Sequence, residues 1–207
     1  MSNSIKQVAL RTIELEAKSV TGLTAFIDDD FEKAVKTIAD NKGRLVVSGI
    51  GKSAAIAQKI VATLNSTGTP SIFMHAADAI HGDLGMVLKD DIVLIISKSG
   101  ESPEIKALVP LVRNFGNIII GMVGSLQSYL AKNSTIILNT TVEQEACPNN
   151  LAPTTSTTAQ LVMGDALAVC LMELNGFSTD DFAKFHPGGS LGKKLYLRVD
   201  DLYKYNE

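Results

Sequence analysis

Cysteine is scarce: Cys147 and Cys170 are the only two in 207 residues. Two cysteines without C-x-x-C spacing build neither a disulfide framework nor a thiolate metal site. Basic residues are not in excess either. With 19 Lys and Arg against 22 Asp and Glu, the formal charge is −3 and the pI about 5.6, which argues against sequence-independent nucleic-acid binding. No run of 18 or so uncharged apolar residues is present, so no membrane span is expected. The opening segment MSNSIKQ lacks a basic stretch followed by an apolar one, which argues against secretion. No internal repeat, low-complexity tract or Pro/Gly/Ser linker divides the chain. What is there is 45% hydrophobic and 20% charged, a composition that can bury a full core. The expectation is one cytoplasmic domain over 1–207: N-terminal helices over 1–42, an α/β core over 43–195 and a tail over 196–207.

Apolar residues return at near-helical intervals from Ser4 to about Ile27 and again at Phe31, Val35 and Ile38, predicting two helices ahead of any strand. These would pack on the core or on another subunit. Short β-rich runs follow at Arg44–Ser48, Ser71–Met74, Ile92–Ser97, Ile118–Met122 and Thr135–Leu138. Between most of them lie helical stretches at Ser53–Ser66, Ser102–Phe115 and Leu126–Ala131. Near-continuous apolar strands alternating with helices predict a doubly wound, five-stranded parallel sheet covered on both faces, an α/β fold. A long helix over Ser156–Asn175 and a short one over Asp180–Phe185 complete it. In such a sheet ligands bind beyond the carboxyl ends of the strands, where helix N-termini present free N–H groups.

The loops at those ends carry the chemistry. Ser48-Gly49-Ile50-Gly51-Lys52-Ser53 follows the first strand. It is not a Walker A loop, because Val46 stands where that motif needs glycine. It matches the dinucleotide pattern formally through Gly49, Gly51 and Ala54, but Phe73-Met74-His75 supplies no acid for a ribose. A sugar-phosphate loop with Gly51, Lys52 and Ser53 beside the ligand is the reading that survives, against a plain tight turn. Ser97-Lys98-Ser99-Gly100-Glu101-Ser102 follows the third strand. Helix capping needs one of its hydroxyls; three, with Lys98 among them, suit a dianionic phosphate. The run Pro153–Thr158 opens the long helix and places Thr155 among candidate pocket residues.

Glu104, Glu145, His186 and His81 share these loops or the glycine-rich stretch His186–Gly192. A carboxylate, a histidine and a lysine beside a phosphate nest suit proton transfer next to a carbonyl. No H-E-x-x-H or comparable ligand spacing is present, so no cofactor and no obligatory metal are expected.

Eight segments, in order, carry a resemblance: Gly49–Ser53, Thr67–Pro70, His81–Met86, Ser99–Ser102, Glu145–Pro148, Leu151–Ser156, Met163–Ala168 and His186–Gly192. Through them the chain resembles the sugar isomerase (SIS) domain superfamily, and within it the D-arabinose 5-phosphate isomerases of the KpsF/GutQ type. The resemblance implies interconversion of D-ribulose 5-phosphate and D-arabinose 5-phosphate through an enediol(ate), supplying Kdo for lipopolysaccharide or capsule. It places catalysis on Lys52, Glu104, Glu145 and His186, with Glu145 preferred as base and Glu104 second. Phosphate would rest on Ser97, Ser99 and Ser102, assisted by Ser53 or Thr155. His81 corresponds to a pocket histidine implicated in zinc inhibition. The family assembles as tetramers whose sites draw on more than one subunit. Two departures stand out. The tandem CBS pair of longer members is not seen, being either naturally absent or cut from this sequence; if it is naturally absent, feedback by CMP-Kdo would fall on the isomerase domain itself. Lys98 stands where the family more often has a neutral residue, either strengthening phosphate binding or pointing to solvent. A non-catalytic sugar-phosphate sensor and an isomerase of another phosphosugar remain the alternatives.

Overall fold

The computed structural model describes residues 4–188 and Lys193; the end of the glycine-rich stretch (189–192) and the expected tail over 196–207 lie outside the described residues. Five runs of β-branched and aliphatic residues form strands: β1 (Leu45–Gly49), β2 (Ser71–His75), β3 (Ile92–Ser97), β4 (Ile119–Val123) and β5 (Ile136–Asn139). They make one parallel sheet in the order β2-β1-β3-β4-β5. Every residue of β1, β3 and β4 is buried, as a sheet covered on both faces requires.

Alternation along the strands decides which helix each residue meets. Ile92, Leu94 and Ile96 of β3 face one layer, packing with α2 (Asp29–Ala39), α3 (Lys52–Ser66) and α7 (Thr155–Leu174). Val93 and Ile95 face the other, with α4 (Ala76–Ala79), α5 (Pro103–Asn114) and α6 (Tyr129–Asn133). The helix α7 is long and apolar enough to cross a membrane by composition, yet its buried residues pack in the core. Its approach to α3 is close because residue 164 is glycine: a Cβ there would lie 2.3 Å from Ile60 Cδ1.

The N-terminal helix α1 (Ile5–Gly22) starts at a capping box in which Ser4 and Gln7 satisfy each other's backbone N–H. It contains no buried residue and exposes Ile5, Leu10 and Ile13. It touches the core where Thr158 Oγ1 donates to Glu16 Oε2 at 3.0 Å. The expected helix over Leu126–Ala131 begins instead at Tyr129, because Ser128 accepts from Ala131 N and caps it there. In the loop after β2 the four-residue α4 and a 3-10 turn over Asp83–Met86 appear; elements this short leave no periodicity to read. After α7 the chain forms α8 (Thr179–Phe185), capped by Ser178 and Asp181.

Candidate active site

The connection from β1 to β2 runs one way along the sheet and β3 restarts on the other side of β1, opening a crevice at their carboxyl ends. Three of the helices that begin along that edge carry the candidate residues. The first, α3, follows Gly51, whose φ of 58° and missing side chain leave the helix without a side-chain cap; Ala54 N donates to Gly51 O at 3.2 Å, and no side chain caps the N–H groups before it. Lys52 is its first residue and is exposed. Ser53 Oγ donates to Gln160 Oε1 on α7 at 3.1 Å. That proton is thereby engaged within the protein.

The second start, α5, lies beyond the serine loop. Ser97 Oγ accepts from Gly100 N at 3.0 Å, Ser99 Oγ from Glu101 N at 3.3 Å and Ser102 Oγ from Ile105 N at 3.4 Å. All three hydroxyls thus act locally as acceptors, where capping alone uses one. An accepting hydroxyl keeps its own proton, so each retains a donor for a ligand oxygen. Gly100 has a φ of 63°, and a Cβ there would strike Ser128 Oγ at 2.3 Å. The loop is pinned to α6 by Leu130 N donating to Gly100 O at 3.0 Å and Tyr129 N to Glu101 Oε1 at 2.5 Å. Glu101 also pairs with Lys106. Glu104, second residue of α5, is half-buried.

The third start, α7, is capped from a distance. Thr154 supplies no side-chain cap of its own; Glu145 serves instead. Glu145 Oε2 accepts from Thr154 N at 2.9 Å and Ser156 N at 3.1 Å, and Ser156 Oγ donates to Oε1 at 2.5 Å. Lys98 Nζ lies 2.6 Å from Oε1. The Glu145 side chain is 0% exposed, that of Lys98 44%. Burial works most strongly against ionising Glu145, but Lys98, the Ser156 hydroxyl and the Thr154 and Ser156 N–H groups together outweigh it. The carboxyl is held at about 2. Lys98 thus reaches the carboxylate rather than open solvent, and Glu145, which the resemblance prefers as base, has a side chain shut away among donors. Thr155 Oγ1, 1% exposed as a residue, is buried with no hydrogen-bond partner, a donor that a ligand oxygen would satisfy.

His81 is exposed beyond α4. The neighbouring His75 Nδ1 and Asp78 Oδ2 stand 3.6 Å apart. No group of three or more His, Cys, Asp or Glu suited to a metal occurs among the described residues.

His186 lies at the opposite edge. The twenty residues of α7 carry the chain about 30 Å from the carboxyl edge to the amino edge. There Phe177 sits against Gly68, just before β2, and Phe185 stacks on Phe177 at 5.7 Å. His186 stacks on Phe182 at 3.9 Å, with its Nδ1 2.8 Å from Phe182 O. Within one chain the geometry gathers Lys52, Ser97, Ser99, Ser102, Glu104 and Glu145 at one sheet edge, and leaves His186 at the other. Gln160 and Ser156 escaped the sequence reading. The Pro153–Thr158 run signalled Ser156 only as one hydroxyl among several, and Gln160 had no signal.

Comparison with known proteins places the fold in a family. The SIS domain model matches residues 37–170, and the chain belongs to the SIS domain family. It is 53% identical over 199 residues to arabinose 5-phosphate isomerase KdsD of Pseudomonas aeruginosa, covering 96% of this chain and 61% of that protein. It is 45% identical over 197 residues to arabinose 5-phosphate isomerase KpsF of Escherichia coli O6:H1, covering 95% and 60%. The chain thus spans about three fifths of the length of these curated relatives. Among solved structures, an Escherichia coli CFT073 protein in complex with arabinose 5-phosphate superposes with a TM-score of 0.85 at 40% identity, covering 90% of this chain and all of that one.

Proposed function

We propose that the chain is an aldose–ketose isomerase interconverting D-ribulose 5-phosphate and D-arabinose 5-phosphate, as the names of its relatives and the sugar-phosphate complex of its structural neighbour suggest. The observation that carries this is the serine loop. Three hydroxyls keep a proton to donate at the start of α5, and a lysine and two glutamates stand on the same edge. A phosphate anchored there leaves the sugar's C1 and C2 to be presented to Lys52 and Glu104, and that remote binding energy orients the reacting carbons.

Glu104 moves the proton between C1 and C2, because it is half-buried at the site whereas Glu145 is enclosed. Lys52 and the uncapped N–H groups of α3 stabilise the enediolate oxygen. His186 opens the furanose ring from a neighbouring copy in a homotetramer, which its distance from the site within one chain requires. The exposed apolar residues of α1 are the surface offered to that assembly. No cofactor enters the reaction. The SIS domain would act in the cytoplasm, supplying Kdo synthesis for lipopolysaccharide or capsule, with CMP-Kdo as feedback ligand.

Proton NMR of D-ribulose 5-phosphate incubated with the protein in D₂O and EDTA tests this. An arabinose 5-phosphate anomeric signal, with deuterium at C2, is the expected result. Absence of turnover with a raised melting temperature would replace the enzyme by a sensor; neither effect would point to another phosphosugar.

A further inference from the structure

The ion pair between Lys98 and Glu145 is more than a helix cap, and its asymmetry says why. The carboxylate spends both oxygens on donors: Thr154 N, Thr154 Oγ1, Ser156 N, Ser156 Oγ and Lys98 Nζ. The ammonium has three N–H groups, and among the described residues Glu145 is its one ion-pair partner. The Lys98 side chain is 44% exposed while that of Glu145 is 0% exposed. One partner is sealed and fixed; the other is fixed at one N–H and open at the rest. Lys98 leaves the backbone between Ser97 and Ser99, the first two hydroxyls of the phosphate nest.

We propose that Glu145 and Lys98 act as one unit in which Glu145 is a positioning residue. It holds the Lys98 ammonium beside the serine nest, and Lys98 supplies the charge that selects a phosphate dianion. A lysine on its flexible stem loses side-chain entropy when it must be ordered by the ligand. Tethered beforehand, it meets the phosphate already oriented. The other charged or titratable groups near Glu145 are Cys147, two residues along the same loop, and Arg11 of α1. Arg11 lines a 210 Å³ pocket with Glu145 and Cys147. Neither is within salt-bridge distance of the carboxylate, so Lys98 is the cation the carboxylate aims.

This deepens the isomerase reading by naming a specificity residue of the same site, and its binding arm does not depend on turnover. Inorganic phosphate binding is measured by calorimetry between pH 5 and 8 for the wild type, Lys98→Met, Lys98→Arg and Glu145→Gln. KM and kcat for arabinose 5-phosphate are measured alongside. A phosphate monoester takes its second charge near pH 6 and inorganic phosphate about one unit higher, so wild-type affinity for inorganic phosphate should climb most steeply in the upper half of that range. Lys98→Met should weaken phosphate binding about tenfold at pH 8, flatten that climb and raise KM by a similar factor, the loss falling on KM rather than kcat. Lys98→Arg should restore most of the affinity. Glu145→Gln should reproduce the Lys98→Met effect, and the double variant should be no worse than either single one, as expected of a coupled pair. Unchanged phosphate affinity in Lys98→Met would overturn the proposal. So would a Glu145→Gln enzyme that loses kcat at constant KM, since that is the signature of a base. Should Glu145→Gln fail to fold, Lys98→Met and Lys98→Arg decide the matter. A wild type that binds phosphate but turns over no pentose phosphate would sink the isomerase reading and leave the binding arms to judge Lys98.

Discussion

Two buried carboxylates sit at opposite edges of the same sheet, each paired with a half-exposed cation, and they have different jobs. At the amino edge Asp91, 1% exposed, faces Arg44, 32% exposed. The guanidinium sends Nε to Oδ1 at 3.3 Å and Nη2 to Oδ2 at 2.7 Å, and Nη2 reaches Met86 O at 2.8 Å. Asp91 also accepts from Arg44 N and Leu88 N, both at 2.9 Å. Asn117 Nδ2 closes the turn by donating to Leu88 O and Asp91 O. The fork of arginine is matched to a carboxylate and directed almost wholly inward, so this pair staples the start of β1 to the turn before β3. At the carboxyl edge the cation is lysine, a point charge with donors to spare, and the edge is where helix N-termini converge. The lesson is that the carboxylate's burial does not separate structure from function. The unused donors of its partner do.

Breaking the amino-edge pair should show the largest effect on stability. Asp91→Ala orphans two backbone N–H groups and a guanidinium, and should cost about 3 kcal/mol in urea denaturation. The kcat of the protein that remains folded should be near wild type; a collapse of kcat would erase the distinction between the edges. Next in size, Glu104→Gln should lower kcat by about two orders of magnitude with little change in the unfolding midpoint. Near-normal turnover would return the base to Glu145.

Assembly sharpens the comparison further, because His186 belongs to the amino edge of its own chain. Lys52→Ala and His186→Ala, each nearly inactive alone, should recover on mixing and reassembly a fraction of wild-type activity of about a quarter or less, the share of sites holding both native residues. No recovery would place His186 in the site of its own chain. The smallest effect is on pH dependence. Glu145, ordinarily near 4.5, is held at about 2 in the folded protein, so the unfolded chain binds the proton more readily. The stability this contributes is full above about pH 4.5 and is lost as pH falls toward 2. Asp91 is lowered too: burial opposes ionisation, but Arg44 and the Leu88 and Arg44 N–H groups outweigh it, so its contribution fades in the same direction. Urea midpoints measured from pH 5 to 2 should therefore fall less steeply in Glu145→Gln than in the wild type.

Much was legible before any coordinates. Continuous runs such as Ile92–Ser97 could be strands only of a sheet buried on both faces, and the strand bounds agree with the structure to within a residue. The serine loop announced itself by holding more hydroxyls than a cap uses. Ser53 did not announce that its proton is committed to Gln160, nor did the loop after β2 betray its single turns of helix.

Local periodicity, glycine placement and hydroxyl-rich loops are properties of neighbouring residues, so the sequence by itself determined the order of strands and helices and the glycine- and hydroxyl-rich loops at the carboxyl edge of the sheet. Which carboxylate is buried, which lysine it aims and at which edge His186 lies depend on groups brought together from distant loops. Desolvation and hydrogen bonding exist only once the chain has closed on itself, and those the tertiary structure alone decided.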